Sequence, residues 1–312
     1  MSTIEKALAK KKQAELNKKS DIEATLTADS LQPDDSKASE LEKPTQCTNA
    51  PASKGQDTRS KSPTLDKETI ILDGDNLTTR GFIYSSNSAH HIQEEFRHIK
   101  RKLINNAFGP AAKTLNHSNL IMVTSSKPNE GKTFISINLA LSIALEQEKT
   151  VLLVDADVLR PSLHRELQFE IKQGLLEYLL DEVYSLSDVI YNTNIANLKL
   201  IPAGKPHHLT NELLASTKMA TLAEELAKRY PDRIVIFDCP PILGVTETPV
   251  LSSLVGQAIV VVEESKTKLE DIKKAVSQLD EDIAVGFVMN KTVMSKKDKY
   301  GYYGYGYDKK NQ

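Results

Sequence analysis

NLIMVTSSKPNEGKTFISINLALSIALEQEKTVLLVDADVLRP, residues 119–161, is the stretch whose reading decides the fold. It opens on an apolar run, NLIMVTSS (119–126), that ends in small residues. After a polar loop, residues 131–147 bring Ile135, Leu139, Ile143 and Ala144 onto one face at helical spacing. TVLLVDAD (150–157) is then a second apolar run with no alternation. Strands that are apolar throughout are buried on both faces, which requires a mostly parallel sheet covered by helices on both sides.

The pattern continues outward. Residues 197–202, RIVIFDCPP (233–241), QAIVVVEE (257–264) and AVGFVMN (284–290) read as further strands, and residues 173–180 and 211–229 as helices. Upstream, HHIQEEFRHIKRKLINNAF (90–108) repeats Ile92, Phe96, Ile99 and Leu103 at helical spacing. The predicted fold is therefore α/β, doubly wound, over residues 88–293. Before it, residues 1–19 fit a short basic helix. Residues 20–87 are expected to be a disordered linker, because the bulk of that stretch is too polar to offset the entropy of ordering. Residues 294–312 form a low-complexity tail holding Tyr300, Tyr302, Tyr303, Tyr305 and Tyr307.

Composition sets limits on function. The 312 residues carry 40 Lys+Arg against 42 Asp+Glu, a net charge of −2, which excludes a strongly basic nucleic-acid binder. The two cysteines, Cys47 and Cys239, are far apart and have no neighbours at metal-ligand spacing, so a reduced, cytoplasmic setting is expected. No apolar run approaches the ~18 residues of a membrane span, and the lysine-rich beginning does not read as a signal peptide.

SKPNEGKT (126–133) closes a strand and opens a helix, as a phosphate-binding loop does. Backbone N–H groups and the positive end of the helix face a phosphate there. Lys132 is placed to reach the β/γ-phosphates and the Thr133 hydroxyl to ligate Mg²⁺; Ser126 stands where the first glycine is usual. A chance Gly-Lys-Thr helix start is the plain alternative, but the flanking strand and helix are the context the motif requires. Asp155 and Asp157, two apart at a strand end, direct both carboxylates one way. Asp238 ends another strand, just before Cys239-Pro240-Pro241. Ligands bind at the carboxyl ends of parallel strands, so the three acids and the loop together favour a metal–nucleotide site over isolated turn or cap roles.

Such a site serves hydrolysis or transfer to a hydroxyl, and the nucleophile at hand decides. The tail tyrosines need a base, since a phenol titrates near pH ~10; Asp155 or Asp157 could accept the proton. The plain alternative is an adhesive or aromatic binding segment.

The loop SKPNEGKT, VLLVDADVLRP, IVIFDCPP and the terminal tyrosine cluster together resemble the bacterial tyrosine kinases of polysaccharide export, over residues 88–312. The beginning, MSTIEKALAKKKQ, is similar to that of exosortase-associated autokinases. The resemblance implies an ATP-dependent, Mg²⁺-dependent tyrosine autokinase. Its nucleotide-binding residues would be Ser126, Lys127, Pro128, Asn129, Glu130, Gly131, Lys132, Thr133, Phe134 and Asn290. Lys132, Asp155 and Asp157 would be catalytic, Thr133, Asp157 and Asp238 would hold the metal, and Tyr300 to Tyr307 would be phosphorylated in trans. It further implies a cytoplasmic chain, peripheral to the inner membrane through an activator or chain-length-determinant protein on a separate polypeptide. Ring assembly would use Glu94, Arg97 and Lys100, with Lys100 where the family has Arg; a plain salt-bridged helix surface is the alternative. The competing function is a nucleotide-switched partitioning or positioning ATPase without kinase activity.

Overall fold

The computed structural model describes residues 69–84, 90–146, 148–208, 210–229 and 232–293. The expectations for the basic helix at 1–19, for most of the linker and for the tyrosine tail lie outside these residues.

In chain order the elements are α1 (Gly74–Thr79), α2 (His90–Phe108), β1 (Leu120–Ser125), α3 (Lys132–Ala144), β2 (Thr150–Asp155), α4 (Leu163–Glu166), α5 (Leu175–Leu179), α6 (Leu186–Val189), β3 (Tyr191–Asn192) and β4 (Leu198–Ile201). They continue with α7 (Thr210–Leu214), α8 (Thr217–Arg229), β5 (Arg233–Asp238), α9 (Glu247–Ser252), β6 (Gln257–Glu263), α10 (Leu269–Val276) and β7 (Ala284–Asn290). The strands form one sheet in the order β3-β4-β2-β5-β1-β6-β7. Every pairing is parallel except β3 with β4. The doubly wound, mostly parallel α/β fold expected from the sequence is the observed one.

Alternation along the central strands divides the core in two. Met122, Leu152, Val235 and Val260 face one helical layer, which includes Leu222 and Leu226 of α8 and Ala275 of α10. Ile121, Leu153, Ile236 and Ile259 face the other, with Leu139 and Ile143 of α3 and Phe96 and Leu103 of α2. Burial on both faces is what turns these strands into unbroken apolar runs. Among the described residues no helix is long and apolar enough to cross a membrane.

Two boundaries differ from expectation. The predicted helix over 211–229 is two helices, because the Ser216 hydroxyl accepts the Met219 N–H (3.2 Å) and caps the start of α8. Described residues before 88 also pack on the domain. Ile70 bridges Thr193, and Asn194 bonds the Leu72 backbone in both directions, at 2.9 and 3.0 Å. Leu72, Leu77, Phe82 and Ile83 are buried in the core beside α3. Residues 69–84 are therefore part of the domain, not linker. Their apolar residues follow neither helical nor strand spacing, and only the α3 face of the sheet gives them a place to bury.

Candidate functional site

β1, β2 and β5 lie side by side and end together, and the register sets Asp155 directly beside Asp238. The loop after β1 turns into α3 through Gly131 at φ +95°, a left-handed conformation. A Cβ at Gly131 would stand 2.0 Å from the Asn290 side-chain nitrogen, so position and contact both demand glycine. Asn290 donates to the Glu130 carbonyl at 2.9 Å, and Lys291 donates to the Asn129 carbonyl at 2.6 Å. The end of β7 thus holds the loop from outside. From within, the Glu130 carboxylate accepts the Lys127 N–H at 2.9 Å.

Lys132 and the three carboxylates form one electrostatic unit. Lys132 Nζ lies 2.5 Å from Asp157 Oδ2, and both side chains are nearly buried, at 12% and 4% exposure. Burial alone pushes the Lys132 ammonium down, but Asp238, Asp157 and Asp155 together outweigh it and hold its pKa above the ordinary lysine value. The Thr133 hydroxyl donates to Asp238 Oδ2 at 2.7 Å and therefore accepts from Ser162, at 2.8 Å. Ser136, one turn into α3, donates to Asp238 Oδ1 at 3.0 Å. Asp238 is fully buried, and burial raises its pKa against the opposing pull of Lys132, Thr133 and Ser136. Asp155 is raised well above the carboxylate range, first by burial and then by Asp238. Its Oδ2 accepts the Leu163 N–H at 3.2 Å, while its Oδ1 has no partner.

Lys132, Thr133, Asp157 and Ser162 border a cleft of about 990 Å³, a size that suits a nucleotide, with Asp238 buried behind Thr133. Pro128, Asn129, Gly131, Lys132, Thr133, Phe134, Asp157 and Asn290 line it, so most of the predicted nucleotide residues converge on one space. Ser126, Lys127 and Glu130 do not line it. Ser126 is buried beneath the loop, and Lys127 turns to Asp271 of α10, 2.5 Å away. Their role in the loop is to shape it. The donor set fits magnesium: Thr133, Asp238 and the unpartnered Asp155 oxygen are hard oxygen ligands. Among the described residues no group of three or more His, Cys, Asp or Glu side chains is placed to hold a metal ion. Asp155 lies beside Asp238 in the sheet register, whereas Asp157 is engaged with Lys132.

Ser136 and Ser162 have no motif signal. Ser136 follows Lys132 by one helical turn, a spacing that could have marked it, whereas Ser162 reaches Thr133 only through the fold. The assembly residues separate: Glu94 and Arg97 pair with each other on the α2 surface at 2.5 Å, but Lys100 is buried and bonds the Ser142 carbonyl and Glu146, at 2.9 and 2.7 Å. Lys100, at eight per cent exposure, ties α2 to the C-terminal end of α3, while Glu94 and Arg97 lie on the surface of α2.

A family model described as an AAA domain matches residues 118–285, the span from β1 into β7. The tyrosine-protein kinase YwqD of Bacillus subtilis is 36% identical over 186 residues, covering 59% of this chain and 77% of YwqD. The chain belongs to the bacterial tyrosine-protein kinases. The tyrosine-protein kinase Ptk of Acinetobacter johnsonii is 35% identical over 175 residues, 55% of this chain but 23% of Ptk, so this chain spans under a quarter of that relative. Among solved structures, the BceF tyrosine kinase domain superposes with a TM-score of 0.54 at 26% identity, over 70% of this chain and 98% of that one. The matched region runs through the loop, Asp155, Asp157 and Asp238.

Proposed function

We propose that this chain is an ATP-dependent protein-tyrosine autokinase that phosphorylates the tyrosines at 300–307 in trans and regulates the polymerisation and export of an exopolysaccharide. The observation that carries this reading is the meeting of Lys132, Asp157 and Thr133 in the wall of one cleft of nucleotide size, with Asp238 bonded to Thr133 behind it. The family membership and the five tyrosines beyond β7 supply the acceptor chemistry. A membrane activator on a separate polypeptide and ring assembly complete the proposal. Arg97 and Glu94 remain the candidates for assembly, while Lys100 serves the fold.

In the transfer, the acceptor phenol oxygen forms a bond to the γ-phosphorus as the bond to the β–γ bridging oxygen breaks. The phenol proton passes to a carboxylate, and ADP leaves. Lys132 meets the developing charge on the phosphoryl oxygens. When the ammonium turns to the phosphates, Asp157 loses its counter-ion, faces the cleft and becomes free to accept the proton. Magnesium, held by Thr133 and Asp238 with Asp155 beside them, would neutralise phosphate charge. Asp155, buried and off the cleft wall, is less suited to meet the acceptor.

The test is incubation of the full chain with ATP and Mg²⁺, with and without its membrane activator, followed by peptide mapping. Phosphotyrosine within 300–307 is expected. Labelling that is absent there with the activator present removes the kinase reading.

A further inference from the structure

β7 ends the sheet: β6 takes one of its edges, and among the described residues no strand pairs the other. Edge strands are normally blunted by charge, proline or a cover. This one reads AVGFVMN, with neither charge nor proline. Val285, Phe287 and Met289 fall on one face by strand alternation. Val285 packs into the layer beside Ile272 and Ala275 of α10, but Phe287 and Met289 are 55% and 61% exposed. Leu269, at the start of α10, is 65% exposed. The result is an open edge beside an apolar face, bounded at its start by Asp280, Glu281 and Asp282.

We propose that the tail of the same chain, residues 295–312, docks on this edge as an added antiparallel strand. Lys291, directly after β7, is left-handed at φ +57°, so the chain leaves the strand direction at once. Nineteen residues follow Val293, enough to return along a seven-residue strand at ~3.3 Å per residue. A register with Tyr300 opposite Asn290 leaves residues 291–299 for the connection. It sets Tyr303 opposite Phe287 and Tyr305 opposite Val285, aromatic against apolar on the shared face. The same register brings Lys309 and Lys310 opposite Glu281 and Asp280. Residues 296–312 carry five Lys and two Asp, a charge of +3 that complements the acidic group. Main-chain bonds would give the affinity and the tyrosines the specificity, as in other strand additions.

One consequence rests on the tail being the phosphate acceptor. Docked tyrosines are stored away from a neighbour's cleft, and each phosphate adds about −1.5 to −2 charge to a tail that docks through its positive charge. Phosphorylation would then release the edge.

The test is amide hydrogen exchange over residues 284–290 in nucleotide-free protein, so it needs no phosphotransfer and stands apart from the kinase assay. Truncation after Met294 is expected to speed exchange there at least tenfold, and a peptide of residues 295–312 added to the truncated chain to restore protection. Phe287→Lys, at an exposed position, is expected to match the truncation with the fold retained by circular dichroism. Charge reversal of Lys309 and Lys310 is expected to speed exchange and remove its salt dependence. Equal exchange in full and truncated chains overturns the proposal. Protection that grows with protein concentration overturns it too, because a second copy would then hold the edge.

Discussion

Replacing Lys132 by methionine tests the electrostatic unit itself. The side chain keeps most of its apolar stem and loses its charge, so the change removes one half of an ion pair whose members are 12% and 4% exposed. Breaking a buried pair by removing one partner costs ~3–5 kcal/mol, because the remaining charge stays desolvated. The site borders a cleft open to water, so the low end applies, about 3 kcal/mol, or a fall in Tm of about 6–12 °C for a domain of this size. The cost also depends on pH. Lys132 draws down the pKa values of Asp155 and Asp238, both already raised by burial. Without it those values rise further. A carboxyl whose folded pKa exceeds its unfolded value binds more protons when folded, so stability falls as pH rises between the two. The deficit of the variant is therefore smaller at acidic pH, where the buried carboxyls are protonated in the folded form of parent and variant alike, and larger at pH 8. Urea denaturation of nucleotide-free protein at pH 5 and pH 8 measures it. Adding Asp157→Asn to Lys132→Met should recover part of the loss, the mark of a coupled pair. Equal stability of parent and variant at both pH values would refute the ion-pair account.

Three other outcomes are expected. Gly131→Ala forces a Cβ against Asn290 at a left-handed position, and should abolish binding of a fluorescent ATP analogue while the Tm stays within a few degrees. Arg80 bonds Glu166 and lies 5.6 Å from the Phe82 ring, which packs 5.3 Å from Phe134 in the cleft wall; Arg80→Ala should raise the KM for ATP several-fold with kcat unchanged, and Arg80→Lys should recover part of it. Charge reversal of Glu94 and Arg97 should lower the sedimenting mass of the assembled protein, whereas Lys100→Ala should lower thermal stability by ~1–3 kcal/mol through the lost bonds to Ser142 and Glu146, with assembly unchanged.

The legible part of this protein is the part governed by local rules. Strands buried on both faces must be apolar throughout, so β1, β2, β5 and β6 announce a covered parallel sheet. A loop that gives its backbone to phosphate needs Gly131, Lys132 and Thr133 in series, and a parallel sheet gathers Asp155, Asp157 and Asp238 at one end. Residues 69–84 were not legible, because their apolar side chains follow no period and gain a burial site only from α3. Lys100 and Glu94 share a helix, yet sequence spacing does not say that the C-terminal end of α3 will stand opposite one and leave the other in water. Nor does it say which aspartate meets Lys132: strand alternation predicts one direction for both, but β2 ends at Asp155, and Asp157, beyond that end, is the one that faces the cleft and reaches Lys132. Local chemistry fixes which groups a chain can offer; distance between them is a property of the packed whole, and it is distance that assigns the partners.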